Sequence, residues 1–326
     1  MSREIHVSKN GGAYESLGAA LSTIPADNTE EVTIYLQEGI YREKLVIDQP
    51  YITLIGDGAH KTILTYGDYA RMIMPDGSNR GTFRTQTLMV NTHDFTARDL
   101  AIENSAGYGK EVGQAIALYV DGDRNSFLDC RLLGCQDTLF TGPLPPTAYQ
   151  AGGFTGPLEH APRINGRQYY CRCYICGEVD FIFGSATAYF EECEIFSLKY
   201  DEEPAAANPE EQKIYGYVTA ASTPEGQEFG YILDRCRLTG NCPPNSVYLG
   251  RPWRSFAKTV YLNCELGEHI RQEGWHDWDK TEAHATIRYE EYRSLGPGAK
   301  PSLRAGFSRQ LSDQEVQAYT KERILW

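Results

Sequence analysis

Between about residue 95 and residue 270 the chain keeps returning to one short pattern: an apolar residue, any residue, then a second apolar residue. It reads Leu100-Ala101-Ile102, Cys130-Arg131-Leu132, Cys173-Tyr174-Ile175, Cys193-Glu194-Ile195, Cys236-Arg237-Leu238 and Cys264-Glu265-Leu266. Alternate residues of a strand share a face, so the two apolar members of each triplet are expected to point inward together. Successive triplets lie 30, 43, 20, 43 and 28 residues apart. The short separations suit a coil of about three strands, and the long ones suit coils that carry an inserted loop. This periodicity predicts a solenoid whose stacked coils bury one continuous core.

The ends of the chain read as helices that cover a solenoid's open edges. Leu17, Leu21 and Ile24 are spaced for one face of a short helix that stops at Pro25. Ser312-Asp313-Gln314-Glu315 is a capping box that opens a helix running towards Ile324. No linker rich in Pro, Gly or Ser divides the chain, so residues 1–326 are expected to form one all-β domain with short capping helices.

Composition narrows the function. The 22 Tyr and 31 Gly against 4 Met favour strands and turns over helices. A net charge of −13 with no basic tract argues against nucleic acid as a partner. It also disfavours a polyanionic substrate, less so one whose carboxylates are masked as esters. No apolar run approaches the length of a membrane helix. The opening "MSREIHVSKNGG" is not a signal peptide, and nine cysteines is an odd number. Together these predict reduced, buried thiols in a cytoplasmic protein. Cys171, Cys173 and Cys176 lie close together but lack the second pair a zinc site needs. On a regular strand Cys171 and Cys173 would share a face, with Cys176 on the other.

Three segments place polar groups inside apolar strands: "GQAIALYVDGD" with Gln114, "GCQDTLF" with Gln136 and Asp137, and "GEVDFIFG" with Asp180. A carboxylate enclosed by Val179, Phe181, Ile182 and Phe183 is costly unless paired. Arg251 in "YLGRPW", beside Trp253, is the evident cation. Two carboxylates in unequal surroundings are the usual material for separate acid and nucleophile roles. Side-chain amides such as those of the two Gln residues can stabilise an oxyanion.

These segments resemble the pectin methylesterases. "GQAIAL", "CQDTL", "RQYY", "GEVDFIFG", "YLGRPW" and "GWHDW" occur in that family's order, and the likeness runs from about Val7 to Gly298. The resemblance implies a right-handed parallel β-helix and an esterase acting on methyl-esterified galacturonan, polymer or oligosaccharide, with no metal or organic cofactor; a monomer is expected, though the sequence does not fix the oligomeric state. It implies that Asp180 is the nucleophile, Asp137 the general acid and Gln136 the oxyanion-stabilising amide. Gln114, Arg251, Trp253, Thr82 and Phe183 are the implied substrate-binding and positioning residues. This division requires Asp137 protonated and Asp180 ionised, with Arg251 lowering the pKa of Asp180.

Three departures from the family pattern stand out. Residues 140–166, 27 in number, occupy a place where the family usually has a handful. Their length and apolar groups predict a wall at one end of the cleft. After Thr219 the chain reads "AASTPEG", closer to bacterial relatives than to the "AQGR" of plant enzymes. Position 178 is Glu, which two-residue alternation places beside Asp180 unless a bulge or corner turns it to solvent. A pectate lyase would need clustered carboxylates for calcium, and a glycosidase a differently spaced Asp set. A non-enzymatic carbohydrate-binding β-helix would leave Arg251 and the two Asp unexplained.

Overall fold

The computed structural model describes residues 3–200 and 213–325. Within them the chain winds through three parallel sheets of eleven, eight and seven strands. We call these the long, back and cleft sheets. One coil runs Asn125–Leu128 in the long sheet, Arg131–Leu133 in the back sheet and Leu139–Thr141 in the cleft sheet. The next runs Arg167–Cys171, Tyr174–Gly177 and Val179–Gly184 in the same order. Each strand inside a sheet pairs in parallel with its equivalents one coil before and after, for example Asn125–Leu128 with Arg167–Cys171, so the molecule is a parallel β-helix.

The corner between the long and back sheets is made by a single left-handed residue, repeated coil after coil. Asp99, Asp129, Arg172, Glu192, Arg235 and Asn263 all sit at φ between 50° and 58°. Such a conformation costs a residue with a side chain roughly 1–2 kcal/mol. In return the chain turns within one residue and aims the next side chain into the core. That next position is Leu100, Cys130, Cys173, Cys193, Cys236 or Cys264, each at most 1% exposed. The recurring cysteine is therefore a corner residue that precedes the back strand rather than a member of it. Its thiol also links coils: Cys173 donates to Phe127 O at 3.3 Å, Cys236 to Phe190 O at 3.4 Å and Cys264 to Leu233 O at 3.3 Å.

The same corner corrects the expected grouping of Cys171 with Cys173. Left-handed Arg172 separates them, and strand alternation does not carry across it. Cys173 enters the core, while Cys171 lies on the outer side of the long sheet, where Arg172 donates to its sulfur at 3.1 Å. Inside, stacking continues along the axis. The rings of Phe127, Tyr170 and Phe190 lie nearly parallel, with centroids 5.1 and 4.7 Å apart.

The two ends differ. Helix Leu17–Leu21 buries Leu17, Ala20 and Leu21 against the first coils, with Ser16 as its N-cap. The Glu43 carboxylate accepts from Leu17 N and Gly18 N at 3.0 and 2.8 Å. At the other end the capping box forms, with Ser312 Oγ accepting from Glu315 N and Glu315 accepting from Ser312 N. It opens only a 3-10 turn, Glu315–Ala318, before a separate helix Lys321–Leu325. That helix does not cap the solenoid. Ile324 and Leu325 pack on the outer face of the long sheet beside Tyr189, Ile232 and Val260.

Strand Val179–Gly184 carries the one irregularity that matters for the site. Its register against Gly216–Ala221 slips between Val179 and Ile182, which inserts one extra residue. Phe181 and Ile182, neighbours in sequence, consequently both reach the core. A β-bulge of this kind re-aims the adjacent side chain. Gly177 makes room for it: a Cβ there would lie 2.2 Å from Phe181 Cβ and 2.6 Å from the Cys135 carbonyl oxygen. Gly177→Ala is expected to cost about 1–3 kcal/mol and to lower Tm by several degrees. An unchanged melting curve would show that the bulge yields without strain.

Candidate active site

The outer face of the cleft sheet is an aromatic platform fixed by register. Met89, Tyr119, Phe140, Phe183 and Ala220 pair in sequence across five strands. Phe83 lies over them, its ring 5.1 Å from Phe140 and 6.4 Å from Trp253. At the edge of this platform is a cleft of about 420 Å³. Thr82, Gln114, Gln136, Asp137, Asp180, Phe183, Arg251 and Trp253 all line it.

Asp137 and Asp180 occupy the same slot in consecutive coils. Leu139 pairs with Ile182, each two residues beyond its Asp, and Asp137 N donates to Val179 O at 3.1 Å. Both carboxylates stand on left-handed backbone, φ 62° at Asp137 and 52° at Asp180. That conformation releases the side chain from strand alternation and presents it to the cleft. Each residue is only 7% exposed.

Asp180 has a fixed partner. Arg251 donates from Nε to Oδ1 at 2.8 Å and from Nη2 to Oδ2 at 2.7 Å, the two-point geometry that holds a carboxylate in one plane. The guanidinium is itself held between two rings, its carbon 3.8 Å from the Tyr217 centroid and 3.7 Å from that of Trp278. Asp137 has no such cation. Burial pushes its carboxyl well above the usual range and the charge of Asp180 adds to this, while Arg251 and a hydrogen bond with Gln136 pull the other way. Burial also raises Asp180, with Arg251 and Lys280 opposing. The sequence led us to expect Arg251 to bring Asp180 down. Instead burial outweighs the ion pair, though Asp137 is still raised further of the two.

Glu178 takes neither expected position. It stands at the corner between strands Tyr174–Gly177 and Val179–Gly184, does not line the cleft, and turns inward rather than to solvent, 2% exposed. Its Oε2 accepts from Gly109 N at 3.0 Å, and Oε1 has no hydrogen-bond partner among the described residues. Burial raises its carboxyl, and the Gly109 bond only partly offsets this.

Several cleft residues were not anticipated. Trp278 belongs to the recognised "GWHDW" motif, but its contact with Arg251 depends on folding across distant coils. Arg254 also lines the cleft, and so do Tyr149 and Phe154, which are among the apolar groups of the 140–166 segment expected to wall it. Phe154 of that segment packs against the rings of both Phe83 and Trp253.

The pectinesterase family pattern matches residues 4–144 and 162–325. The chain belongs to the pectinesterase family. It is 36% identical to pectinesterase 31 of Arabidopsis thaliana over 96% of this chain and 89% of that one. Pectinesterase QRT1 of Arabidopsis thaliana is 31% identical, with 99% and 77% covered. A solved pectin methylesterase in complex with hexasaccharide VII superposes with a TM-score of 0.81 at 27% identity, covering 100% of this chain and 97% of that one. Carrot pectin methylesterase gives 0.80 at 28%, covering 98% and 92%. The stretch after Thr219 therefore does not set this pectinesterase among bacterial enzymes, since these curated relatives are plant proteins. No helix among the described residues is long and apolar enough to cross a membrane.

Three outcomes follow from the charges of this pectinesterase site. Arg251→Gln leaves Asp180 buried without its cation, which is expected to cost about 3–5 kcal/mol at pH 8 and less at pH 5, where Asp180 is more readily protonated. Asp137 has a folded pKa above its unfolded value, so its contribution to stability is full below the unfolded pKa and is lost as pH rises towards the folded one. Asp137→Asn is accordingly expected to melt higher than the parent at pH 7–8, with the gain shrinking on acidification. By the same sign Glu178→Gln should raise Tm at pH 8 by roughly 1–3 °C and leave the acidic limb of the pH–rate profile in place. Melting curves across pH and one pH–rate series check all three. A shifted acidic limb for Glu178→Gln would mean that its charge does reach Asp180.

Proposed function

We propose that this enzyme removes the C6 methyl ester of galacturonate residues in pectin, with Asp180 as nucleophile and Asp137 as general acid and base. The observation that carries the assignment is the asymmetry of the two stacked carboxyls. One is clamped at both oxygens by Arg251, and the other makes no ion pair among the described residues and is pushed well towards its protonated form. The ionised Asp180 attacks the ester carbonyl carbon, and the carbonyl π electrons move to oxygen. Gln136 and Gln114 donate to that oxyanion from the edge of the cleft. Collapse of the intermediate breaks the C–O bond to the methoxy group, Asp137 supplies its proton, and methanol leaves. Asp137, now ionised, takes a proton from water. The water oxygen attacks the acyl carbon, releasing galacturonate and regenerating Asp180. Arg251 fixes the plane of the nucleophile throughout, while Trp253, Phe183 and Thr82 offer faces for the sugar.

The chain's acidity fits an esterified substrate, because methylation removes the charges that would be repelled. The nine cysteines are unpaired, which agrees with a reducing compartment, and cytoplasmic placement is part of this proposal.

Methanol release from highly esterified pectin is the direct assay. Asp180→Asn and Asp137→Asn should each remove nearly all turnover while retaining the fold. Gln136→Ala should lose on the order of 10²–10³ in kcat, the scale of a lost oxyanion donor. The acidic limb of the pH–rate profile should lie above the ordinary aspartate range near 3.9, because burial raises Asp180. Near-normal methanol release by Asp180→Asn would overturn the mechanism.

A further inference from the structure

Residues 145–161 interrupt the match to the pectinesterase family, and the structure gives them a defined place. Arg163 gathers the segment's own carbonyls, donating to Leu158 O at 2.9 Å, Ala161 O at 2.7 Å and Glu159 O at 2.5 Å. Gly156 is pressed against the coil wall so closely that a Cβ there would lie 2.4 Å from Phe83 O. Phe154 is 7% exposed and meets the rings of Phe83 and Trp253 edge-on, at 5.6 and 6.1 Å.

Tyr149 fastens the segment to the later coils. Its hydroxyl donates to Trp253 O at 2.7 Å. The Arg254 guanidinium lies 3.7 Å from its ring centroid and the Lys280 ammonium 5.4 Å. Arg254 also donates to Thr147 O at 2.8 Å. The segment is thus held from the platform under Phe83 to the coil that carries Arg251. From strand Leu118–Val120 to strand Val247–Gly250 is four strand spacings in the cleft sheet, roughly 19 Å.

The face that this segment turns to the cleft comprises Ala148, Tyr149, Gln150, Gly153 and Phe154, with no Asp, Glu, Lys, Arg or His among them. Cations reach this face only at its Tyr149 end, from Arg254 and Lys280; beside Phe154 a free sugar carboxylate would lose water without gaining one, whereas a methyl ester would lose little.

We propose that residues 145–161 form a substrate-selecting wall, which turns the cleft into a trough for one extended chain and favours short, fully esterified galacturonate oligosaccharides over high-molecular-weight pectin. This rests on the pectinesterase reading above. A free oligosaccharide enters a trough of this kind whole. A long chain with side branches and interchain contacts must first be stripped of both along the length of the wall.

The test compares kcat/KM for methanol release from a fully methyl-esterified galacturonate hexamer and from high-molecular-weight esterified pectin. Replacing 145–161 by a short Gly-Ser linker should raise the polymer-to-hexamer ratio about tenfold. Phe154→Ala, which leaves the segment in place, should raise KM for the hexamer about three- to tenfold with a smaller change in kcat, the scale of lost aromatic contact. If the linker variant does not fold, Phe154→Ala and Tyr149→Ala decide the matter. An unchanged ratio in the linker variant, or an unchanged hexamer KM in a Phe154→Ala variant that melts like the parent, overturns the wall. A parent enzyme that releases methanol from neither substrate counts instead against the pectinesterase reading.

Discussion

Everything in this molecule depends on the parallel register between successive coils. A residue in one coil stands about one strand spacing from its equivalent in the next, so like falls upon like along the axis. In the core this produces the stacked rings of Phe127, Tyr170 and Phe190 and the column of corner thiols. On the cleft face the same rule places Asp137 against Asp180. Stacking that is favourable for rings and thiols is unfavourable for two carboxylates. The site is the place where the repeat works against stability.

The cost is contained by local devices. Left-handed backbone at both Asp residues takes the carboxyls out of strand alternation, and the bulge after Asp180 returns Phe181 and Ile182 to the core. Arg251 compensates one charge only, and its planar group is fixed between Tyr217 and Trp278. A second cation beside Asp137 would stabilise the fold further. It would also hold Asp137 ionised and remove the acid. The asymmetry that makes chemistry possible is therefore a residual instability left in the fold.

The solenoid was legible because its signal is periodic: six triplets with apolar ends report the inward face of the back sheet wherever loops intervene. The site residues were legible for the opposite reason, as polar groups that break an apolar run, and the family motifs then gave each a role. What alternation could not report is where alternation stops. Left-handed Arg172 separates Cys171 from Cys173, and the corner before Val179 turns Glu178 away from the cleft; nothing in a two-residue period announces either. Trp278 escaped for another reason, since it reaches the site through a contact with Arg251, which is distant in sequence. The last helix was misplaced because an apolar face fits the side of a sheet as well as its open end.

The segment after Thr141 leaves the coil at the corner between the cleft and long sheets, and the chain resumes its path at Arg167 with pairing intact on both sides. Length can be added at that corner without moving any strand, because register is set by the neighbours above and below and not by the connection. The carboxylate pair and the rim of the cleft are in consequence separately variable. A lineage can exchange one rim for another, and so change which sugars it accepts, while the reacting groups stay where they were.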